Sequence, residues 1–231
     1  MCSVATDPCR ARQFRSVQPV ADRREFAPIS RMSAKETRPD DSGRPEFWDV
    51  RYAADETPWD FHGVPAALKE FLKDSQLGRV LIPGCGAAYE VRAFRGAGWK
   101  VTAIDFSPVA IERARSELGV LGNCVVQGDF FTHDFGSQRF DVIYERTFLC
   151  ALPPDLWPAY VKRMTQLLRQ GGKLVGIFLY GKEHDPPPYP LSPEKADHLF
   201  NEKFSLVKTL PVSDSLPMFA GSERWQEWVP I

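Results

Sequence analysis

From Phe47 onward the apolar positions fall into short runs that alternate between the two-residue period of a strand and the 3.6-residue period of a helix. Val64, Leu68, Phe71 and Leu72 share one helical face across 64–72, and a short apolar strand follows at 79–82. A helix is predicted over 91–97 and a strand over 100–104. Ser107 followed by Pro108 is an N-cap with proline at the first helical position, so a helix runs to Leu118. Strands are predicted at 123–127 and 141–144, and a helix from about Asp155 to Arg169, with Gly171-Gly172 as its stop signal. The run 173–180 is almost continuously apolar, which predicts a strand covered on both faces. After the Pro-rich loop 186–190 come a helix at 193–200 and strands at 204–210 and 224–229. Strands and helices alternating in this way wind into βαβ units. The expectation is an α/β domain with a doubly wound, mostly parallel seven-stranded sheet and an antiparallel edge.

Before residue 45 the pattern fails. Ser, Arg, Asp and Pro dominate, apolar residues stand alone, and residues 1–44 read as a disordered tail ahead of a single domain at 45–231. Six Arg in 1–31, set against Asp7, Asp22 and Glu25, have the bias of a transit peptide; alternatively Met32, opening Met-Ser-Ala-Lys, is the true start. The 231 residues carry 29 Lys plus Arg and 30 Asp plus Glu, a net charge of -1, so no global field favours nucleic acid or an anionic membrane. The longest apolar stretch, 174–180, is far short of the roughly 20 residues of a membrane span. Five cysteines with no metal-ligand spacing fit free thiols in a reducing compartment, so the expectation is a cytoplasmic protein without a metal site. A monomer is expected.

The chemistry begins where the first strand turns into its helix. Gly84 and Gly86 let backbone approach a ligand there, and Asp105, nineteen residues beyond Gly86, ends the second strand where a carboxylate accepts ribose hydroxyls. The pair implies an adenosine-containing cofactor. Tyr89 stands where a dinucleotide fingerprint needs its third glycine, which opposes a nicotinamide-dependent oxidoreductase. After the third strand, Asp129 is positioned for an adenine amino group and Phe130 for packing on the base. Each residue also has a plain structural reading, as a turn, a cap or a core ring.

Pro83-Gly-Cys-Gly, Ala103-Ile-Asp-Phe-Ser-Pro, Gly128-Asp-Phe-Phe and Phe140-Asp-Val-Ile-Tyr-Glu-Arg resemble the class I, Rossmann-like S-adenosylmethionine-dependent methyltransferases. More narrowly, Phe47-Trp48-Asp49-Val50-Arg51-Tyr52, Thr57-Pro58-Trp59-Asp60 and Pro187-Pro188-Tyr189 resemble the thiopurine S-methyltransferase superfamily with its halide and thiol branch. The resemblance runs from about Glu46 to the C-terminus. It implies S-adenosyl-L-methionine as cofactor, with Trp48, Tyr52 and Trp59 folding over it, Gly84 and Gly86 at its amino-acid end, Asp105 on the ribose, and Asp129 with Phe130 at the adenine. Arg146 stands where thiopurine-type relatives have a cofactor-contacting Arg and plant halide-type relatives have Tyr. It is read as positioning the cofactor or a substrate anion, with Tyr189 beside it.

Methyl transfer from a sulfonium is an in-line displacement that needs alignment and a desolvated nucleophile more than a proton relay. The four His are scattered and form no triad. The implied acceptor is the sulfur of a small thiol, with a halide or thiocyanate as the alternative and no nucleic acid. A cofactor-binding module without turnover is the reading from another class.

Overall fold

The computed structural model describes residues 41–182 and 184–231. The expected tail lies outside the described residues except for 41–44, which form a turn rather than disordered chain: Arg44 N donates to the Asp41 carbonyl, and the Trp48 indole donates to Ser42 O at 2.8 Å. Helix α1 (Pro45–Ala53) follows with Pro at its start. It left no periodic signal because Phe47 is the residue it buries.

The seven strands are β1 (Arg79–Pro83), β2 (Lys100–Asp105), β3 (Val125–Gln127), β4 (Phe140–Arg146), β5 (Leu168–Leu179), β6 (Phe204–Pro211) and β7 (Glu223–Pro230). They form one sheet in the order β3-β2-β1-β4-β5-β7-β6. The first five are parallel neighbours, and the antiparallel addition is β7, which pairs with both β5 and the outermost β6. The order reverses between β1 and β4, so the crevice of the sheet opens there.

Two apolar layers follow from strand alternation. Leu81, Ile143, Leu174 and Phe178 face α5 (Trp157–Leu167) and α6 (Pro193–Phe200). Val80, Ile82, Val142, Tyr144 and Val175 face the other way, toward α2 (Ala66–Asp74), α3 (Tyr89–Gly96) and α4 (Pro108–Leu118). Trp225 joins one layer and Trp228 the other, as three positions along a strand require.

Two local expectations change. The helix predicted to run to Arg169 ends at Leu167, and Gly171-Gly172 lie inside β5 instead of stopping a helix. Leu168 already pairs with Phe140, and the ladder shifts register before resuming at Val142 and Lys173, so the glycines fill an irregularity in the strand. Residues Gly119–Cys124 form a 3₁₀ turn, which shortens the third strand to three residues.

Ser107 couples this frame to α1. Its hydroxyl accepts from Ala110 N at 3.0 Å, capping α4, and donates to the Asp49 carboxylate on α1. A buried cap contributes about 1 kcal/mol, and the Asp49 bond adds a similar amount. Replacing Ser107 by Ala is expected to lower stability by about 2 kcal/mol in urea unfolding and to weaken cofactor binding by loosening α1. A substitution that left both unchanged would show that α1 is held by its apolar contacts alone.

Candidate active site

A cavity of about 980 Å³ opens at the carboxyl ends of β1, β2, β3 and β4. Its floor is the turn after β1. Gly84 and Gly86 both sit at positive φ, +56° and +49°, and a methyl group on either would collide: on Gly84 with the Phe148 ring, on Gly86 with the Tyr52 hydroxyl at 2.6 Å. The backbone is thus pressed between an aromatic ring from beyond β4 and a phenol from α1.

Asp105 locks that turn. One carboxylate oxygen accepts Gly86 N at 2.9 Å and the other accepts Ser107 N at 3.0 Å, in a site where Asp105 is buried. Burial raises its pKa, and the backbone N–H donors oppose the rise. With each oxygen holding one donor, further lone pairs remain for ligand hydroxyls. Asp129 is differently placed. Its oxygens accept Phe131 N at 2.9 Å and the Thr132 hydroxyl at 3.0 Å, so the carboxylate caps its own loop while lining the cavity. Phe130 is buried and meets Phe148 edge-on at 5.3 Å.

Over the opening lies an aromatic wall. Trp48 meets Trp59 edge-to-face at 5.3 Å, and Tyr52 meets Trp59 in the same way at 6.1 Å. Burial and the Asp105 charge push the Tyr52 phenol above its ordinary pKa, so it stays neutral. At the β4 end, Arg146 lines the cavity with its guanidinium over the Phe61 ring, 5.0 Å from the centroid. Its Nε is buried with no hydrogen-bond partner, and no carboxylate of a described residue lies within ion-pair distance.

A family model for thiopurine S-methyltransferase (TPMT) matches residues 43–227. The chain belongs to the thiopurine S-methyltransferase family. It is 33% identical over 152 residues to a probable thiol methyltransferase 2 from Arabidopsis thaliana, covering 63% of this chain and 67% of that one. With thiocyanate methyltransferase 1 from Brassica oleracea it shares 31% over 193 residues, 80% of this chain and 84% of the relative. A thiopurine S-methyltransferase from Vibrio atlanticus (strain LGP32) is 27% identical over 209 residues, covering 80% and 95%. The fold is shared with the 1,6-didemethyltoxoflavin-N1-methyltransferase of Burkholderia thailandensis, at TM-score 0.65 and 19% identity over 80% of this chain and 86% of that one. The glycopeptide N-methyltransferase MtfA has the same fold, at TM-score 0.57 and 17% identity over 74% and 96%. The protein is accordingly a Rossmann-like methyltransferase that uses S-adenosylmethionine.

The cavity suits that cofactor: a close backbone cradle that a Cβ would fill, a buried acid with spare lone pairs beside it, and aromatic faces that favour a sulfonium. Trp48, Tyr52, Trp59, Gly84, Gly86, Asp105, Asp129, Phe130 and Arg146 all border it. Tyr189 does not. Its N–H donates to Cys150 O at 2.7 Å and its side chain packs on the α5 and α6 layer, while Pro186, Pro187 and Pro188 reach the cavity instead. Tyr189, expected beside the substrate, thus packs its ring toward the core, and the loop presents its prolines to the cavity. Among the described residues no three His, Cys, Asp or Glu are grouped to hold a metal.

Sequence reasoning missed Phe148 and the carboxyl beneath it. Glu145, buried at the end of β4, accepts Phe148 N at 2.9 Å, Leu149 N at 3.0 Å and the Tyr160 hydroxyl at 2.7 Å. An acidic strand end before a turn was the available signal, but its partner Tyr160 lies fifteen residues on, in α5. Burial raises the Glu145 carboxyl to about 7, against which the three donors act.

Two outcomes follow. Because the folded pKa is raised above the unfolded value of 4.5, Glu145 favours the folded state most at low pH; that contribution is lost as pH rises from 4.5 through about 7. Thermal melts of Glu145→Gln are expected to lack that part of the pH dependence; an unchanged profile would place the titration elsewhere. Gly86→Ala is expected to weaken cofactor binding at least tenfold, about 1.4 kcal/mol. Adding Tyr52→Phe should restore only part, since the hydroxyl clash goes but the left-handed backbone remains. Full restoration by Tyr52→Phe would show that the backbone conformation costs nothing.

Proposed function

We propose that this methyltransferase acts on the sulfur of a small thiol. The observation that carries the reading is the composition of the inner wall: Arg146 without a carboxylate partner and no histidine among the lining residues. Cys85 and Cys150 also line it, but burial drives both thiols upward, so neither serves as a base near neutral pH. Such a wall suits an acceptor whose anion needs stabilising and shielding from water. When bound, S-adenosylmethionine supplies a methyl group on a cationic sulfur. The acceptor's sulfur lone pair would form the new S–CH3 bond as the bond between the methyl and the cofactor's sulfur breaks with its electron pair left on that sulfur, so the thiolate and the sulfonium charges are both neutralised.

In this proposal Trp48, Tyr52 and Trp59 exclude water over the opening, Asp105 holds the ribose, and Phe130 with Asp129 borders the adenine. Arg146 stabilises the thiolate, whose ordinary pKa near 8.5 leaves about a few per cent anionic at neutral pH. The Brassica relative, named for thiocyanate, supports that anion as the alternative acceptor, and a halide is proposed beside it because both anions require stabilisation without deprotonation.

Around the site, residues 45–231 act as the catalytic domain with 41–44 ordered against it. No described helix is long and apolar enough to cross a membrane. The net charge of -1 supports an enzyme that takes no nucleic acid, the free Cys85, Cys124 and Cys150 support a cytoplasmic setting, and a monomer is the proposed state.

The test is methyl transfer from labelled S-adenosylmethionine to aromatic thiols, hydrosulfide, a purine thiol, thiocyanate and iodide. Thiol turnover with Arg146→Ala reducing kcat/KM at least tenfold, most severely at low pH where thiolate is scarce, is the expected result. Iodide or thiocyanate turnover without thiol turnover would move the enzyme to the alternative. Arg146→Ala with unaltered thiol kinetics would remove Arg146 from the acceptor site.

A further inference from the structure

Glu90 lines the cavity from the first turn of α3 and is 7% exposed. Its own backbone N–H acts on the carboxylate, but no hydrogen bond or ion pair to another described side chain accompanies it, although a buried carboxylate without a counter-charge is costly. Its electrostatic neighbours locate it. Glu90 acts on Cys85 in the glycine turn and on Tyr144 of β4, and Arg146 acts on it from beyond ion-pair distance. Burial raises its pKa, Arg146 lowers it, and Asp60 adds a further negative charge that raises it.

The order of strands sets the direction of the ligand. Asp129 follows β3, Asp105 ends β2, the glycine turn follows β1 and Arg146 ends β4. An adenosine with its base at Asp129 and its ribose at Asp105 directs its 5′ substituent past the glycine turn toward β4. Glu90 stands on that side. The group that arrives there carries an α-ammonium, and a buried acid in a cavity wall with no cation within ion-pair distance is the complement of such a cation.

We infer that Glu90 is the residue that binds the α-ammonium of the cofactor's amino-acid end. This rests on the cofactor reading above and assigns a contact to a residue that neither motif reading nor family likeness singled out. A buried charge-assisted hydrogen bond of this kind changes affinity by about ten- to a hundredfold. Binding of a cation next to Glu90 also favours its ionised form, so any proton on the carboxyl is released as the ligand enters.

Calorimetry separates this contact from the rest of the site. The probes are S-adenosylhomocysteine, its analogue lacking the α-amino group but keeping the carboxylate, and 5′-methylthioadenosine. Wild-type protein is expected to bind S-adenosylhomocysteine at least tenfold tighter than the deamino analogue. Glu90→Gln should abolish that preference and leave 5′-methylthioadenosine affinity within twofold. Equal weakening of all three ligands would overturn the inference in favour of a structural role for Glu90, and an unchanged preference would overturn it outright. Should Glu90→Gln fail to fold, wild-type indifference to the α-amino group overturns the inference without the variant. Failure of wild type to bind any of the three would instead refute the placement of the adenosine.

Discussion

The site depends on the Asp105 carboxylate. One oxygen holds the backbone of Gly86 and the other that of Ser107, so the turn after β1 and the entry to α4 are fastened to the end of β2. Ser107 passes the constraint to Asp49 on α1, and Tyr52, one helical turn further on, brings its hydroxyl back against Gly86. The result is a closed circuit. An acid read as a ribose ligand is at the same time the joint that joins the glycine cradle to the aromatic wall, and its burial makes both bonds stronger than they would be in water.

A second acid organises the opposite side. Glu145 gathers two backbone donors of the turn after β4 and the Tyr160 hydroxyl from α5. That turn carries Phe148, whose ring fills the space over Gly84 and packs on Phe130. Two strand-end carboxylates, each satisfied by backbone N–H groups, thus fix the two edges of one cavity. Among the titratable groups that line the cavity, Glu90 and Arg146 are of opposite sign and lie beyond ion-pair distance of one another. A cationic cofactor and an anionic acceptor meet complementary charges there, without a pre-formed pair to be broken.

Much of this was legible in local pattern. The N-cap at Ser107, the apolar run of β5 and the glycine turn after β1 each state their role within a few residues, because capping, strand burial and tight turns are short-range physics. The helix α1 escaped notice because it buries Phe47 alone. Asp129 shows the limit of type and spacing: the residue is at the cavity, yet its oxygens first serve their own loop.

What the sequence determined by itself is therefore the alternation of elements, the doubly wound sheet, the glycine turn after β1 and the family. Tertiary structure alone decided that Pro186 to Pro188 and not Tyr189 line the cavity, that Phe148 caps Gly84, that Arg146 lacks a carboxylate partner, and that Glu90 lines the same cavity. The reason is distance along the chain. Periodicity records whether a side chain meets core or solvent, but a cavity is lined by residues from five or more separate segments. Which of them point inward depends on how those segments pack.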